Sequence, residues 1–150
     1  MSFDTVAGSS LAVTTAVPVS YDEAGYGASS MQYTPIGEIT DLGGGYGREY
    51  AMVNHAPIDT EQEVQKKGNY KLGERSIKVA WDDDDAGQDI LRTAANDHSI
   101  LTFRLQKQGG QKRYFTAQVS KFTENFGTVN NVVVGEIVLL PQRDVVRDPA

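Results

Sequence analysis

The strongest constraint on this chain is a two-residue period of apolar side chains in its second half. Ile77, Val79 and Trp81 alternate with polar or small residues over residues 76–82. The same alternation recurs at residues 101–106 and 115–120. Because successive side chains of a strand point to opposite faces, each run predicts a strand with one buried face.

Two further features link these runs into an antiparallel unit. Gly109 and Gly110 lie between the second and third runs, and such a glycine pair is typical of a hairpin turn. Residues 132–140 are apolar on both faces except at Glu136, so they predict a central strand that ends at Pro141.

A helix is predicted over residues 86–96, where Ile90, Leu91 and Ala94 recur at helical spacing. Four aspartates at 82–85 precede it, and acidic residues there cap free N–H groups. A calcium loop would need a ligand where Ala86 stands and a bidentate carboxylate where Thr93 stands. Capping is therefore favoured over a metal site.

The first half has weaker patterns. Residues 11–19 suit a strand limited by Pro18, residues 21–30 suit a loop, and residues 36–41 suit a strand. The glycine cluster at 43–47 lacks the Lys-Ser/Thr and the following helix of a phosphate-binding loop. Residues 48–72 have no clear period, so they are either a long functional loop or contain a missed strand around 48–53.

The resulting fold class is mainly β (α+β): an antiparallel β-sandwich or barrel with one flanking α-helix. The length of 150 residues suits one domain. We divide it into an N-terminal arm (1–10), a β-domain (11–141) that carries the long loop 48–72, and a C-terminal tail (142–150).

Composition excludes several function classes. The chain has no Cys and only two His, which leaves no thiolate chemistry and little for a metal or nucleophilic site. The net charge is −6, and the first 47 residues hold five acidic groups and no Lys or Arg. This charge disfavours binding to the phosphate backbone of a nucleic acid. No apolar stretch is long enough to span a membrane, and the acidic, interrupted N-terminal segment is not the pattern expected of a secretory signal. We expect a structural or binding protein rather than an enzyme, with no cofactor and no metal.

A family resemblance rests on several segments taken in order. They are Gly37-Glu38-Ile39-Thr40-Asp41-Leu42, Gly47-Arg48-Glu49-Tyr50, His55-Ala56-Pro57, residues 73–82, Asp85-Ala86-Gly87-Gln88, Tyr114-Phe115-Thr116-Ala117-Gln118-Val119 and the closing strand 132–140. Over roughly residues 10–141 the chain resembles the tail tube proteins of bacteriophages with long, non-contractile tails (siphophage major tail proteins). The fold class that it implies is shared with type VI secretion tube proteins.

The resemblance implies a virion structural protein. Six copies would close into a ring, and rings would stack into a tube through which double-stranded DNA passes during ejection. Its partners would be further copies of itself, the tape measure protein, the tail terminator and the distal tail protein. Synthesis and assembly would take place in the host cytoplasm, and the mature location would be the virion tail.

The resemblance also implies which segments act in assembly. The arm and the long loop would make contacts between rings, through Phe3, Arg48, Tyr50, His55, Glu61, Lys66, Lys67 and Tyr70. An acidic lumen would repel phosphates, and Glu38, Asp41 and Glu124 are its candidate residues.

Two other functions stay open at this point. One is a tube protein of a type VI secretion-like system. The other is a small ligand-binding β-domain, perhaps for carbohydrate, which would present exposed tyrosines from the first half of the chain: Tyr21, Tyr26, Tyr33, Tyr46 and Tyr50.

Overall fold

The computed structural model describes residues 6–43, 45–129 and 131–148. Its strands are β1 (Ser10–Thr14), β2 (Thr34–Pro35), β3 (Ile39–Asp41), β4 (Glu49–His55), β5 (Val64–Lys71), β6 (Arg75–Ala80), β7 (Ile100–Gln106), β8 (Lys112–Asn125), β9 (Val134–Pro141) and β10 (Val146–Asp148). Its helices are α1 (Glu23–Tyr26) and α2 (Ala86–Ala94).

One antiparallel sheet holds all strands except β4 and β5, in the order β2-β1-β7-β8-β9-β6-β3, with β10 also paired to β8. The segment from β2 to β3 joins the two outer edges of this sheet. Ile36 N donates to Leu11 O at one edge, and Ala80 N donates to Glu38 O at the other. The sheet therefore curls into a half-barrel, which confirms the predicted fold class.

The core lies inside this half-barrel and uses the alternating side chains of the sequence. In β6, Ile77 and Val79 are buried while Ser76 and Lys78 are exposed. Phe103 and Phe115 stand opposite each other in the β7–β8 register, and their rings meet edge to face at 5.1 Å. Full burial of each such side chain stabilises the fold by about 1.5–3 kcal/mol.

The predicted helix packs on the sheet as α2. Its buried side includes Gln88, Leu91 and Ala94. Asp85 caps its first turn by accepting a hydrogen bond from Gln88 N at 2.9 Å, which confirms the capping interpretation for this residue. A Cβ on Gly87 would lie 2.4 Å from Pro35 O, so only glycine allows this close approach of α2 to β2.

Several predictions need correction. The segment 48–72 is not an irregular loop, because β4 and β5 form a hairpin there, so the missed-strand alternative is right. The C-terminal tail contains β10, and the predicted loop 21–30 contains the short helix α1. The first strand ends at Thr14, before Pro18 rather than beyond it.

Candidate assembly surface

The β4–β5 hairpin stands apart from the half-barrel. Among the described residues its strands pair only with each other, in a separate two-stranded sheet. All their side chains are exposed, and only Gly68 is partly buried. An isolated two-stranded hairpin is at best marginally stable in water, so this one needs either anchoring at its base or a surface to pack on.

The register divides the hairpin into two different faces. Tyr50 pairs with Tyr70 and Met52 with Lys67, and these four define the aromatic face. Val53 pairs with Lys66 and His55 with Val64, and these four define the aliphatic face. A register shift between Tyr50 and Met52 interrupts the ladder.

The aromatic face is covered by its own cations. The Arg48 guanidinium lies 4.3 Å from the centroid of the Tyr70 ring, and the Lys67 ammonium lies 4.8 Å from that of Tyr50. The two tyrosine rings are 5.4 Å apart. Such contacts contribute about 0.5–1 kcal/mol each at exposed sites, so they stiffen the base of the hairpin.

Arg48 also ties the hairpin to the half-barrel. Its Nε donates to Asp144 Oδ1 at 2.8 Å, and its Nη2 donates to Asp144 Oδ2. This bidentate pair holds the pKa of the Asp144 carboxyl below its usual range. Asp144 lies just before β10, so the pair links the hairpin to the strand that lies against β8.

A buried arginine organises the other side of the base. Arg75 is 2% exposed, and its Nη1 donates to Leu72 O at 2.8 Å and to Glu74 O at 3.3 Å. Its guanidinium stacks 4.9 Å from the Tyr46 ring, and burial raises the pKa of Tyr46 to about 12. Arg75 therefore fixes the turn through which β5 leads into β6.

The structure brings together some of the predicted contact residues and separates others. Arg48, Tyr50, Lys67 and Tyr70 form one cluster on the aromatic face, whereas His55 and Lys66 lie on the aliphatic face. Glu61 lies in the segment that connects the two strands, and Phe3 lies outside the described residues.

The three candidate lumen acids do not share one face of the sheet. Asp41 stands opposite Lys78, and Glu124 stands opposite Gly135, whose other neighbour is Val79. Because positions 78 and 79 point to opposite faces of β6, Asp41 and Glu124 do as well. Glu38 is exposed at the bend between β2 and β3. That these residues line a lumen stays a prediction.

The tyrosines considered for carbohydrate binding do not form one exposed platform. Tyr26 is fully buried and stacks on Tyr114, with ring centroids 5.4 Å apart. Tyr46 is mostly buried against Phe115, whereas Tyr50 lies on the separate hairpin. The geometry therefore does not favour this alternative.

Sequence reasoning did not single out the apolar residues on the aliphatic side of the hairpin. Val53, Val64 and Ile58 are exposed apolar residues there, and Ile58 projects from the connecting segment. The signal that could have identified them was the presence of apolar residues in the otherwise polar segment 48–72. Nothing local marked Asp144 as the partner of Arg48, since 96 residues separate them.

The described residues contain no group of three or more His, Asp or Glu side chains that could hold a metal ion. None of the helices in the described part of the chain is long and apolar enough to cross a membrane.

No protein-family model matches this chain, and no curated protein matches it. Several solved structures are similar to this chain. A chain of the PVC extracellular contractile injection system, described as its sheath/tube terminator in the extended state, is similar with a TM-score of 0.62 and 12% identity, over 99% of this chain and 98% of that one. A chain of the PVC sheath-tube complex is similar with a TM-score of 0.60 and 12% identity, over 98% and 92%.

A chain of the anti-feeding prophage baseplate is similar with a TM-score of 0.64 and 10% identity, over 99% of this chain and 98% of that one. Identities of this size establish a shared fold and no more. The likeness extends over nearly the whole length of each chain in all three cases. The sequence resemblance is thus confirmed at the level of a phage tail tube-like fold.

Proposed function

We propose that this protein is a structural subunit that assembles with further copies of itself into the tube of a phage-like tail particle. The observation that carries the proposal is the free-standing β4–β5 hairpin on a tail tube-like half-barrel. A hairpin with exposed apolar side chains, anchored at its base, is suited to packing on another subunit.

The arrangement that we propose is a closed ring of six copies, with rings stacked into a tube. The number six comes from the family resemblance. Supporting features are the outer edges of β4 and β5, which carry backbone groups that have no strand neighbour in the described residues. Exposed edges pair readily with another chain, and a rotation that closes on itself turns such pairing into a ring.

The finer prediction, a siphophage tail tube that conducts DNA and contacts the tape measure, terminator and distal tail proteins, is supported by the sequence resemblance. The solved neighbours favour a second version, the tube or terminator of a contractile injection particle, because their descriptions name sheath, tube and baseplate assemblies. Both versions make the protein a non-enzymatic component of a tail particle, made and assembled in the cytoplasm of the producing cell.

Electron microscopy of the purified protein tests the proposal. Negative staining of the full chain at increasing concentration is expected to show rings or tubes with a central hole. Replacing residues 50–70 with a short Gly-Ser linker is expected to leave a folded protomer that no longer forms tubes. Unchanged tubes from this variant would show that the hairpin is not an assembly element.

The particle of origin separates the two versions. Mass spectrometry of particles purified from the producing cells is expected to find this chain with other tail components. DNA protected inside the particle favours the siphophage version, and a sheath protein in the same particle favours the contractile version.

A further inference from the structure

Two exposed apolar surfaces lie at opposite ends of strand β6. The hairpin leads into the start of β6, because β5 ends at Lys71 and β6 begins at Arg75. At the other end, Trp81 N donates to Val133 O at 2.9 Å, which places the β8–β9 connection beside the end of β6. Six residues of strand separate the two ends by roughly 17 Å.

The surface at the far end is a shallow depression with an apolar rim. Phe126 and Val132 line it and are 73% and 68% exposed. Asn125, Gly127, Asn131 and Val134 complete the lining, and the volume is about 320 Å³. Asn131 N donates to Thr128 O at 3.0 Å, so a turn helps to shape this end. The depression is large enough to receive one or two aliphatic side chains.

The two faces of the hairpin differ in what already contacts them. Rings on the aromatic face are covered by Arg48 and Lys67, and Arg48 is held in turn by Asp144. On the aliphatic face, Val53 is 53% exposed. Val64 is 39% exposed there, so burial of this face would favour association. Met52, on the aromatic face, is also exposed, so exposure alone does not separate the two faces.

The two surfaces have opposite charges near them, a lysine on the hairpin and a glutamate near the depression. Lys66 stands directly across from Val53 on the aliphatic face. Glu124 immediately precedes Asn125, one of the residues that line the depression, and the side chains of Lys66 and Glu124 are both exposed. Opposite charges beside matching apolar surfaces fix the register of an interface and raise its rate of formation.

We propose that the aliphatic face of the hairpin of one copy docks on the Phe126–Val132 depression of a second copy. The inference rests on the proposed self-assembly and names the two surfaces that it uses. Val53 and Val64 contact the apolar rim, and Lys66 lies near Glu124 of the second copy. Because the two surfaces lie at opposite ends of one strand, the copies stack in the same orientation. Such a head-to-tail contact leaves a free surface at each end and continues indefinitely.

Paired substitutions test the docking. The double variant V53S/V64S and the single variant F126S are each expected to shorten or abolish tubes, with at least a tenfold rise in the concentration needed for assembly. The matched control is M52S, since Met52 is 62% exposed in the same strand but lies on the aromatic face. It is expected to assemble as the unaltered chain does. Equal melting temperatures of all variants show that the protomers remain folded.

A charge exchange adds a test of partner and register. K66E and E124K are each expected to weaken assembly, and the combined variant K66E/E124K is expected to restore at least half of the loss. If V53S/V64S and F126S assemble normally while M52S does not, the docking face is wrong. If the charge exchange restores nothing, Lys66 and Glu124 do not meet. If the unaltered chain forms no assembly under any condition, the proposed function fails and not merely this interface.

Discussion

The carboxylate of Asp85 accepts a hydrogen bond from the backbone N–H of Gly37 at 3.2 Å, across 48 residues of sequence. The same Oδ2 atom caps α2 through Gln88 N. One side chain thus holds the start of the helix against the segment that joins the two edges of the sheet. This junction adds to the two- and three-residue strands β2 and β3 in closing the half-barrel.

Gln88 is expected to be a major stabilising residue of the junction. It is fully buried, its Nε2 donates to Gly37 O and Ala80 O at 3.1 Å each, and its Oε1 accepts from Asp82 N at 3.0 Å. Gln88→Ala removes these three hydrogen bonds from buried backbone groups, so it should lower the free energy of unfolding by about 2–4 kcal/mol. Chemical denaturation measures this change.

The control for that variant is Gln62→Ala in the exposed hairpin connection, which should change stability by less than about 0.5 kcal/mol. Equal effects of the two substitutions would mean that the buried amide does not hold the junction.

Glu38 is expected to be a strained position. Its φ is 60°, the left-handed region that favours glycine, at the bend between β2 and β3. Glu38→Gly should raise the free energy of unfolding by about 0.5–1 kcal/mol, whereas Glu38→Ala, which keeps the Cβ and removes the carboxylate, should not. Thermal unfolding of both variants separates backbone strain from charge. Greater stability of the alanine variant would contradict the strain argument.

The Arg48–Asp144 pair should make hairpin anchoring sensitive to acid. The folded-state pKa of Asp144 lies below its ordinary value of 3.8, because it accepts two hydrogen bonds from the guanidinium. A depressed carboxyl pKa contributes stability that is present above pH 3.8 and is lost as the pH falls through the folded-state value.

An NMR titration of the Asp144 side-chain carboxyl carbon measures this effect. Its midpoint should lie below 3.8 in the unaltered chain and return towards 3.8 in Arg48→Gln. Hydrogen exchange of the β4–β5 amides should accelerate in the same variant. An unchanged midpoint would show that the pair does not form in solution.

The sequence predicted the elements whose faces differ in burial. Ile77 and Val79 lie on β6, whose other side is exposed, so burial imposed a period of two there. In β7 and β8 both sides are buried, at Thr102 and Thr116 as well as at Phe103 and Phe115, and the alternation persists because the side away from the core carries polar threonines. The capping role of Asp85 was also predictable, since a helical pattern follows it directly.

The elements that the sequence did not predict lack this asymmetry. Both faces of the β4–β5 hairpin are exposed, so nothing selects apolar residues at alternate positions. Strand β10 has three residues and depends on its pairing with β8, and the role of Gln88 depends on backbone atoms far away in sequence. For the candidate site, the sequence pointed to the segment 48–72. It did not predict that this segment forms a hairpin with two different faces, or that Asp144 is the partner of Arg48.

The central claim is that copies of this chain join around a hollow axis, and a cryo-EM reconstruction of the purified assembly tests it most directly. The account predicts class averages with six-fold rotational symmetry, a continuous central channel, and the β4–β5 hairpin of each copy packed on another copy. A monodisperse monomer at all concentrations, or an assembly whose hairpins project into solvent without contacting a second copy, would contradict it.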